Sequence, residues 1–302
     1  MSDKIVVVLG ATGLQGGSVV SALLAHGEYA IRGVSRDPSS AASQALVKQG
    51  VEMVTGEVSD LGTLISAFKG AWAVFGVTLP FTPVSELQQG RNIVDACRSA
   101  EVPLLVWSSL PNATKVSGGK YTKVTHWDQK AQVDEYIKET GQDAVILQTG
   151  GFVENILLYH YLRPSPTPGS WTLAWPVVRP TTPLAMSYIG ADFGPCVVKV
   201  LDVWRRGEGD KLGNEPIPVC SFTMTIREIV EGIEKLSGKN VEYEVVPHMP
   251  NEELQQMLLL ADEGMRYSTN TFPTPLFVEL GVQFHTFEDY VRKELLPVID
   301  GK

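Results

Sequence analysis

Three glycines, Gly10, Gly13 and Gly16, follow a short apolar run at residues 5–9 that predicts a buried strand. If a helix comes next, each glycine has a physical purpose. The first permits a tight turn, the second lets the backbone approach a pyrophosphate, and the third lets the helix pack closely on the strand. The helix would direct its free N–H groups and the positive end of its dipole at the phosphates. A second predicted strand at 29–35 completes the unit, so the context favours a dinucleotide site over a turn without a ligand.

The residue that ends the second predicted strand indicates which dinucleotide is bound. An acid at this place binds the ribose 2′-hydroxyl of NAD, whereas an arginine accommodates the 2′-phosphate of NADP. The chain has Arg36 there, and nearby serine hydroxyls, Ser40 among them, can add hydrogen bonds. Two alternatives stay open: Asp37 is the acid of an NAD site, or Arg36 is only a solvent-exposed loop charge. We favour NADP(H) as the cofactor.

The composition argues against several classes of protein. The chain of 302 residues is 44% hydrophobic, which is enough for the core of one large domain or two interlocked domains. Its net charge of −9 and its lack of a basic face argue against direct nucleic-acid binding. We expect no signal peptide, since the sequence leads straight into the first predicted strand, and no membrane span, since no apolar run approaches the length of a membrane helix. The three scattered cysteines lack metal-ligand spacing, which predicts no metal site and a cytoplasmic setting, with the nucleus as the alternative.

Strand and helix signals alternate through the first half of the chain. The predicted strands cover residues 5–9, 29–35, 51–55, 71–77, 102–107 and 144–148, with helices between them. This alternation predicts an α/β fold with a Rossmann-type, doubly wound parallel sheet. Residues 163–183 hold six of the nineteen prolines and two tryptophans, which predicts a loop and hairpin. We therefore expect a dinucleotide-binding domain over 1–150. A smaller mixed α/β C-terminal lobe over 151–302 would interlock with it at the carboxyl ends of the sheet.

Several motifs together carry a family resemblance. They are GATGLQG at 10–16, Arg36, HWDQKA at 126–131, GFVEN at 151–155 and IGADFG at 189–194. On these segments the chain resembles the NmrA-like family, atypical relatives of the extended short-chain dehydrogenases/reductases. The resemblance implies a nucleotide-binding Rossmann domain, a small C-terminal lobe, and NADP(H) between them. This family contains both NADPH-dependent enzymes and catalytically silent NADP-sensing regulators, so the resemblance alone does not decide between these functions.

The chain departs from its relatives at the usual proton donor. Ordinary short-chain reductases carry a Tyr-x-x-x-Lys pair, in which the lysine holds the nicotinamide ribose and the tyrosine passes a proton to the substrate. Lys130 matches the lysine, but His126 stands four residues earlier, and Tyr121 lies on another helix face. The resemblance implies a ribose ligand at Lys130, and the alternative is a surface lysine paired with Asp134. Three hypotheses stay open for His126: an acid or base in place of tyrosine, a hydrogen-bond partner of the cofactor or strand end, and a capping or core histidine.

Further positions match cofactor and substrate segments of the family. Ser109 ends the fifth strand where related reductases place a hydroxyl that polarises the substrate carbonyl, and a turn-forming serine is the alternative. The resemblance implies that Thr78 lies beside the nicotinamide ribose and that Phe152 and Asn155 lie on the nicotinamide side, and a plain core position is the alternative for Phe152. Asp60 matches an acid near the adenine, or it simply caps a helix. The expected cofactor contacts are Gly10, Thr12, Gly13, Leu14, Gln15, Gly16, Arg36, Ser40, Asp60, Thr78, Lys130, Phe152 and Asn155, and the candidate catalytic residues are Lys130, His126 and Ser109.

Two functions are compatible with these residues. The first is an NADPH-dependent oxidoreductase that reduces a C=O, C=N or activated C=C bond of a small apolar metabolite. Its support is the aromatic stretch 171–175, which can wall an apolar pocket. The second is an NADP(H) sensor that acts through a regulatory protein partner, as the missing tyrosine indicates. We favour the enzyme because the substrate lobe is retained, and we expect a monomer or a homodimer.

Overall fold

Seven parallel strands form the central sheet. The computed structural model describes residues 4–264 and 267–301, and its strands are β1 (Ile5–Leu9), β2 (Ala30–Ser35), β3 (Glu52–Thr55), β4 (Ala73–Gly76), β5 (Leu104–Ser109), β6 (Ala144–Thr149), β7 (Gly151–Phe152), β8 (Leu162–Pro164), β9 (Trp171–Pro176), β10 (Leu184–Ser187), β11 (Ile217–Val219), β12 (Phe222–Met224) and β13 (Val241–Val246). The central sheet has the order β3–β2–β1–β4–β5–β6–β11, and all neighbouring pairs are parallel. The predicted Rossmann-type sheet is confirmed. Its strand order reverses between β1 and β4, and ligands of such sheets bind at the carboxyl ends of the strands beside this reversal.

Helices cover both faces of this sheet and build much of the lobe. They are α1 (Leu14–His26), α2 (Ala41–Val47), α3 (Leu61–Phe68), α4 (Glu86–Ser99), α5 (Ala113–Val116), α6 (Thr125–Thr140), α7 (Asn155–Leu158), α8 (Gly194–Arg205), α9 (Ile226–Ser237), α10 (Glu252–Asp262), α11 (Pro275–Glu279), α12 (Phe287–Tyr290) and α13 (Leu296–Ile299), with π-helical segments at Ile189–Phe193 and Val291–Leu295 and a 3₁₀ turn at Gly209–Leu212. A capping box begins α9, in which the Thr225 hydroxyl accepts from the Glu228 N–H and the Glu228 carboxylate accepts from the Thr225 N–H.

Alternating side chains of the strands face two separate helical layers. On β1, Val6 and Val8 pack into a core shared with α1 and α8, whereas Val7 and Leu9 pack into the core of α3, α4 and α6. This division follows from the two-residue period of a strand, which sends successive side chains to opposite faces. The glycine turn and α1 therefore lie on one face of the sheet, and Lys130 on α6 lies on the other.

The second half of the chain builds the lobe and also returns to the central sheet. Two small sheets, β12–β10–β7 and β13–β9–β8, surround a separate hydrophobic core that contains Trp175 and Tyr290. The hairpin predicted within 163–183 is present as the antiparallel pair β8 and β9. Because β11 pairs with β6 and α8 packs against α1, residues after 150 also belong to the large layer. The division into 1–150 and 151–302 stays a prediction.

The described residues include neither a membrane-spanning helix nor a cluster of metal ligands. No helix within residues 4–264 and 267–301 is long and apolar enough to cross a bilayer. Over the same residues, His, Cys, Asp and Glu side chains form no cluster of three or more that could hold a metal ion.

Candidate cofactor and active site

The glycine turn places an open helix end at the carboxyl end of β1. Gly10 has a φ of +62°, and its carbonyl accepts from the Gly13 N–H at 2.8 Å. A Cβ atom on Gly16 would lie 2.1 Å from the Gly10 carbonyl oxygen, so only glycine allows α1 to approach the turn so closely. No side chain among the described residues caps α1 at Gly13, and Thr12, Gly13 and Leu14 are exposed. The N–H groups of the first turn are thus available to an anion.

Arg36 and Asp37 lie at the end of β2, next to the glycine turn, but only one of the two is already bonded. The Asp37 carboxylate accepts from the Ser39 hydroxyl at 2.5 Å and from the Ser39 N–H at 2.9 Å, and these bonds lower its pKa. The exposed Arg36 guanidinium has no hydrogen bond or ion pair to any residue the structure describes. Ser40 caps α2 by accepting from the Ser43 N–H. The geometry leaves Arg36 available to a phosphate.

Asp60 has the structural role that the sequence left as its alternative. Its Oδ1 atom accepts from the Gly62 N–H at 2.9 Å and from the Thr63 N–H at 3.2 Å, which caps α3. A contact between Asp60 and an adenine ring stays a prediction.

Lys130 is buried in a polar cluster that includes an acid the sequence analysis missed. Its Nζ atom lies 2.7 Å from the Thr78 hydroxyl and 3.0 Å from Oε1 of Glu86. The Thr78 hydroxyl in turn donates to the same Glu86 oxygen at 2.6 Å. The structure therefore brings together Lys130 and Thr78, as expected of two residues beside the nicotinamide ribose. It places Lys130 in the interior, so the alternative of a surface lysine is wrong.

His126 lies in the first turn of α6 and is held by an acid of the lobe, Glu253 on α10. Oε1 of Glu253 lies 2.5 Å from Nδ1 of His126 and accepts from the His126 N–H at 2.7 Å. The Thr125 hydroxyl donates to the same oxygen at 2.8 Å. Burial opposes ionisation of Glu253, but these hydrogen bonds outweigh it and lower the pKa of its carboxyl. The Phe81 ring lies 5.6 Å from the imidazole. Glu253, which the sequence did not indicate as a site residue, connects the start of α6 to the lobe by these hydrogen bonds.

The two adjacent serines of β5 point to opposite faces, and the candidate Ser109 is on the face away from the glycine turn. Its hydroxyl is buried and donates to Asp134 on α6 at 2.9 Å. Ser108 donates instead to Oε1 of Gln15 in the first turn of α1, at 2.7 Å. The strand alternation thus directs Ser108 toward α1 and the glycine turn, and Ser109 toward α6, the helix that carries Lys130. The role of Ser109 as a hydroxyl that polarises a substrate carbonyl stays a prediction.

Asp134 is a buried acid with an unusual titration. Its carboxylate accepts from the Ser109 hydroxyl and from the Trp107 indole N–H, each at 2.9 Å. Burial raises its pKa to about 7, although these hydrogen bonds and nearby lysines act in the opposite direction. The folded chain therefore binds a proton here that the unfolded chain releases above its ordinary carboxyl pKa.

This titration predicts that stability falls as the pH rises from about 5 to about 7. Because the folded state holds the extra proton, Asp134 removes up to about 1.4 kcal/mol of unfolding free energy per pH unit over that range. Urea denaturation at both pH values should show the decrease in the wild type and a smaller one in Asp134→Asn. Equal slopes for the two proteins would contradict the raised pKa.

The segments after β6 and before α8 meet at the start of α1. Gly190 donates its N–H to Oε1 of the buried Glu154 at 2.7 Å, and a Cβ atom built on it would lie 4.0 Å from Leu14. Burial raises the pKa of the Glu154 carboxyl. Phe152 and Asn155, on either side of Glu154 in sequence, are half-buried. The structure thus joins three motifs that are far apart in the sequence.

The comparisons with known proteins identify the family. The model of the NmrA-like family matches residues 2–298, so the chain belongs to this family, which confirms the resemblance seen in the motifs. It is 36% identical over 164 residues to the NmrA-like family domain-containing oxidoreductase ptmS of Penicillium ochrochloron, a match that covers 51% of this chain and 49% of that protein. The matched region thus spans about half the length of that curated relative.

Two solved structures show the same fold at low sequence identity. The negative transcriptional regulator NmrA, solved in complex with NADP, superimposes with a TM-score of 0.83 at 19% identity, over 99% of this chain and 97% of that one. The NADPH-dependent quinone oxidoreductase of Escherichia coli, solved with NADPH, gives a TM-score of 0.70 at 18% identity, over 95% and 98% of the two chains. One neighbour is therefore named a regulator and the other an enzyme.

Proposed function

We propose that this chain binds NADP(H) in the cleft at the carboxyl ends of β1, β2 and β4, and that it is an NADPH-dependent oxidoreductase. The observation that carries the proposal is the uncapped start of α1 beside the unpaired Arg36. The free N–H groups at the start of α1 are suited to pyrophosphate oxygens, and the guanidinium of Arg36 is suited to a 2′-phosphate. The names of NmrA with NADP and of the Escherichia coli reductase with NADPH agree with this cofactor.

The proposed substrate is a small apolar metabolite with a C=O, C=N or activated C=C bond. Large apolar side chains are exposed in three segments that are expected to border the cleft, after β1, after β4 and at the end of α7: Leu14, Leu79, Phe81, Leu158 and Tyr159. Phe81 is 65% exposed, and a substrate that covers such side chains gains free energy by removing them from water. The name of the oxidoreductase ptmS also favours an enzyme.

The cofactor and the residues of the cleft would have different parts in the proposed reaction. NADPH, when bound, supplies a hydride to the substrate. Lys130, which donates to Thr78, would hold the nicotinamide ribose. Ser108 is hydrogen-bonded to Gln15 on the other face of the sheet. His126 has its Nδ1 and its backbone N–H engaged by Glu253, so only Nε2 is left to exchange a proton.

His126 is therefore expected to hold the start of α6 and not to act as an obligatory proton donor. We predict that His126→Phe keeps kcat within about tenfold of the wild type, with water or substrate supplying the proton. NADPH oxidation at saturating substrate measures this, and an unchanged NADPH affinity is the control for an intact site. A loss of about 10²-fold or more in kcat at unchanged affinity would show that the imidazole does the work of the missing tyrosine.

An NADP(H) sensor is the second candidate, and the contacts of α10 favour it. Glu253 at one end of α10 holds His126, while Asp262 at the other end accepts from the Arg179 N–H at 2.8 Å and from the Thr182 hydroxyl at 2.6 Å. This helix connects α6, and with it the cofactor cleft, to the proline-rich segment 163–183.

One pair of assays separates the enzyme from the sensor. We expect turnover of NADPH with at least one member of a panel of apolar carbonyl, imine and enone compounds, quinones included. If the panel gives no turnover and NADPH and NADP⁺ protect residues 163–183 differently from proteolysis, the sensor replaces the enzyme. No turnover together with equal cleavage in the apo, NADPH and NADP⁺ forms would contradict both functions.

A further inference from the structure

Glu86 is a buried acid whose partners all belong to the expected ribose side of the cleft. It is the first residue of α4 and is only 3% exposed, and Lys130 is 7% exposed. Its backbone N–H donates to Oε1 of Gln129 at 2.8 Å, which fixes the start of α4 against α6. An acid in the first turn of a helix ordinarily stays in solvent and interacts with the helix dipole. Glu86 is instead directed inward to Lys130.

The three polar groups form a closed triangle whose hydrogen-bond directions are determined. A lysine ammonium only donates, so the Thr78 hydroxyl accepts from Lys130 and must give its own proton to Glu86. The ammonium also forms an ion pair with the same Glu86 oxygen, at 3.0 Å. Since an ammonium has three N–H groups and one donates to Thr78, an N–H of Lys130 remains that can donate to a ligand. Because Thr78 follows β4 directly, this triangle lies at the carboxyl edge of the sheet, where the cofactor ribose is expected.

The positive charge of the buried Lys130 requires a neighbouring acid such as Glu86. A buried ammonium without a counter-charge is costly, and the side chain would turn toward solvent or lose its proton. The indole ring of Trp107, 5.6 Å from Nζ, adds a weaker attraction on another side. Glu86 is the one carboxylate in direct contact with this ammonium among the residues that the structure describes.

We propose that Glu86 is the positioning residue of the cofactor site. It neutralises Lys130 and fixes the ammonium at Thr78, so that the remaining N–H meets a hydroxyl of the nicotinamide ribose. This inference rests on the proposed function, since it requires that the cleft bind NADP(H). It also restricts the effect of Glu86 to one half of the dinucleotide, because Arg36 and the start of α1 hold the other half.

The test compares two ligands and a small set of variants by calorimetric titration of the full chain. The ligands are NADPH and adenosine 2′,5′-bisphosphate, which lacks the nicotinamide and its ribose. The variants are Glu86→Gln, Lys130→Met and the double variant. The matched control is Asp202→Asn, which alters another buried carboxylate, at 6% exposure. Asp202 accepts a hydrogen bond from the hydroxyl of Tyr29, the residue just before β2, and so lies at the amino ends of the strands, away from the cleft.

We expect Glu86→Gln to weaken NADPH binding by roughly 10- to 100-fold and to leave the affinity for the bisphosphate unchanged. Adding Lys130→Met should cause little further loss, since Glu86 acts through that lysine. Asp202→Asn should bind both ligands as the wild type does. If Glu86→Gln fails to fold, Glu86→Asp, whose carboxylate is withdrawn by one methylene, is expected to give a smaller loss with the same selectivity for NADPH.

Three results would overturn the inference. The first is a wild-type NADPH affinity in the folded Glu86 variant, and the second is an equal loss for both ligands, which a merely structural role produces. The third is a full additional loss on adding Lys130→Met. A wild type that binds neither ligand would refute the proposed function itself, and the inference with it.

Discussion

Replacing Gly16 by valine is expected to lower the free energy of unfolding by about 3 kcal/mol and to abolish detectable NADPH binding. A Cβ atom at this position would lie 2.1 Å from the Gly10 carbonyl oxygen and 2.7 Å from that of Leu9. Both obstacles are backbone atoms, so α1 must move away from the turn, and its N–H groups then lose their position toward the phosphates. Urea denaturation and calorimetric titration with NADPH measure the two effects.

The neighbouring Gly17 provides a matched control for this substitution. A Cβ atom there would lie 3.7 Å from the Ala11 carbonyl oxygen, an ordinary contact, in the same turn of α1. Gly17→Ala should therefore keep NADPH binding and raise the unfolding free energy by about 0.5–1 kcal/mol, because alanine loses less backbone entropy in a helix. If Gly16→Val binds NADPH as the wild type does, the close approach has no part in the cofactor site.

The second large effect is expected at Arg36. The wild type should bind NADPH about 10- to 100-fold more tightly than NADH, since a charge-assisted contact to the 2′-phosphate contributes about 1.5–3 kcal/mol. Arg36→Ala should remove this preference by weakening NADPH binding alone. Titration of both proteins with both cofactors measures the change.

Asp37→Asn is the control for the alternative acid. The Asp37 carboxylate is already bonded to Ser39, so this variant should keep the NADPH preference. Equal affinities of the wild type for the two cofactors, or a preference that survives in Arg36→Ala, would refute the assignment. If Asp37→Asn loses the preference for NADPH over NADH, Asp37 and not Arg36 determines the cofactor specificity.

Features that depend on local backbone geometry could be predicted from the sequence. The glycine turn, the caps of α3 and α9 and the parallel sheet each follow from rules that act within a few residues or one hydrophobic period. Gly10 and Gly16 are recognisable because their spacing falls between a predicted strand and a predicted helix, where the first must take a positive φ and the second has no room for a side chain.

The contacts that organise the candidate site could not be predicted in the same way. His126 and Glu253 are 127 residues apart, and neither residue type indicates its partner. Glu86 has the sequence pattern of a solvent-exposed acid in a first helical turn, and only packing reveals its burial. Ser108 and Ser109 are adjacent in the sequence, and only the side-chain alternation of β5 directs Ser108 to Gln15 on α1 and Ser109 to Asp134 on α6.

The central claim is that NADPH occupies the cleft at the carboxyl ends of β1, β2 and β4, and a crystal structure of the chain grown with NADPH tests it most directly. We expect the pyrophosphate at the first turn of α1, the 2′-phosphate within hydrogen-bonding distance of Arg36, and the nicotinamide ribose at Lys130. A cleft without the cofactor at saturating NADPH, or an NADPH molecule whose 2′-phosphate turns away from Arg36 while its ribose does not contact Lys130, would contradict the account.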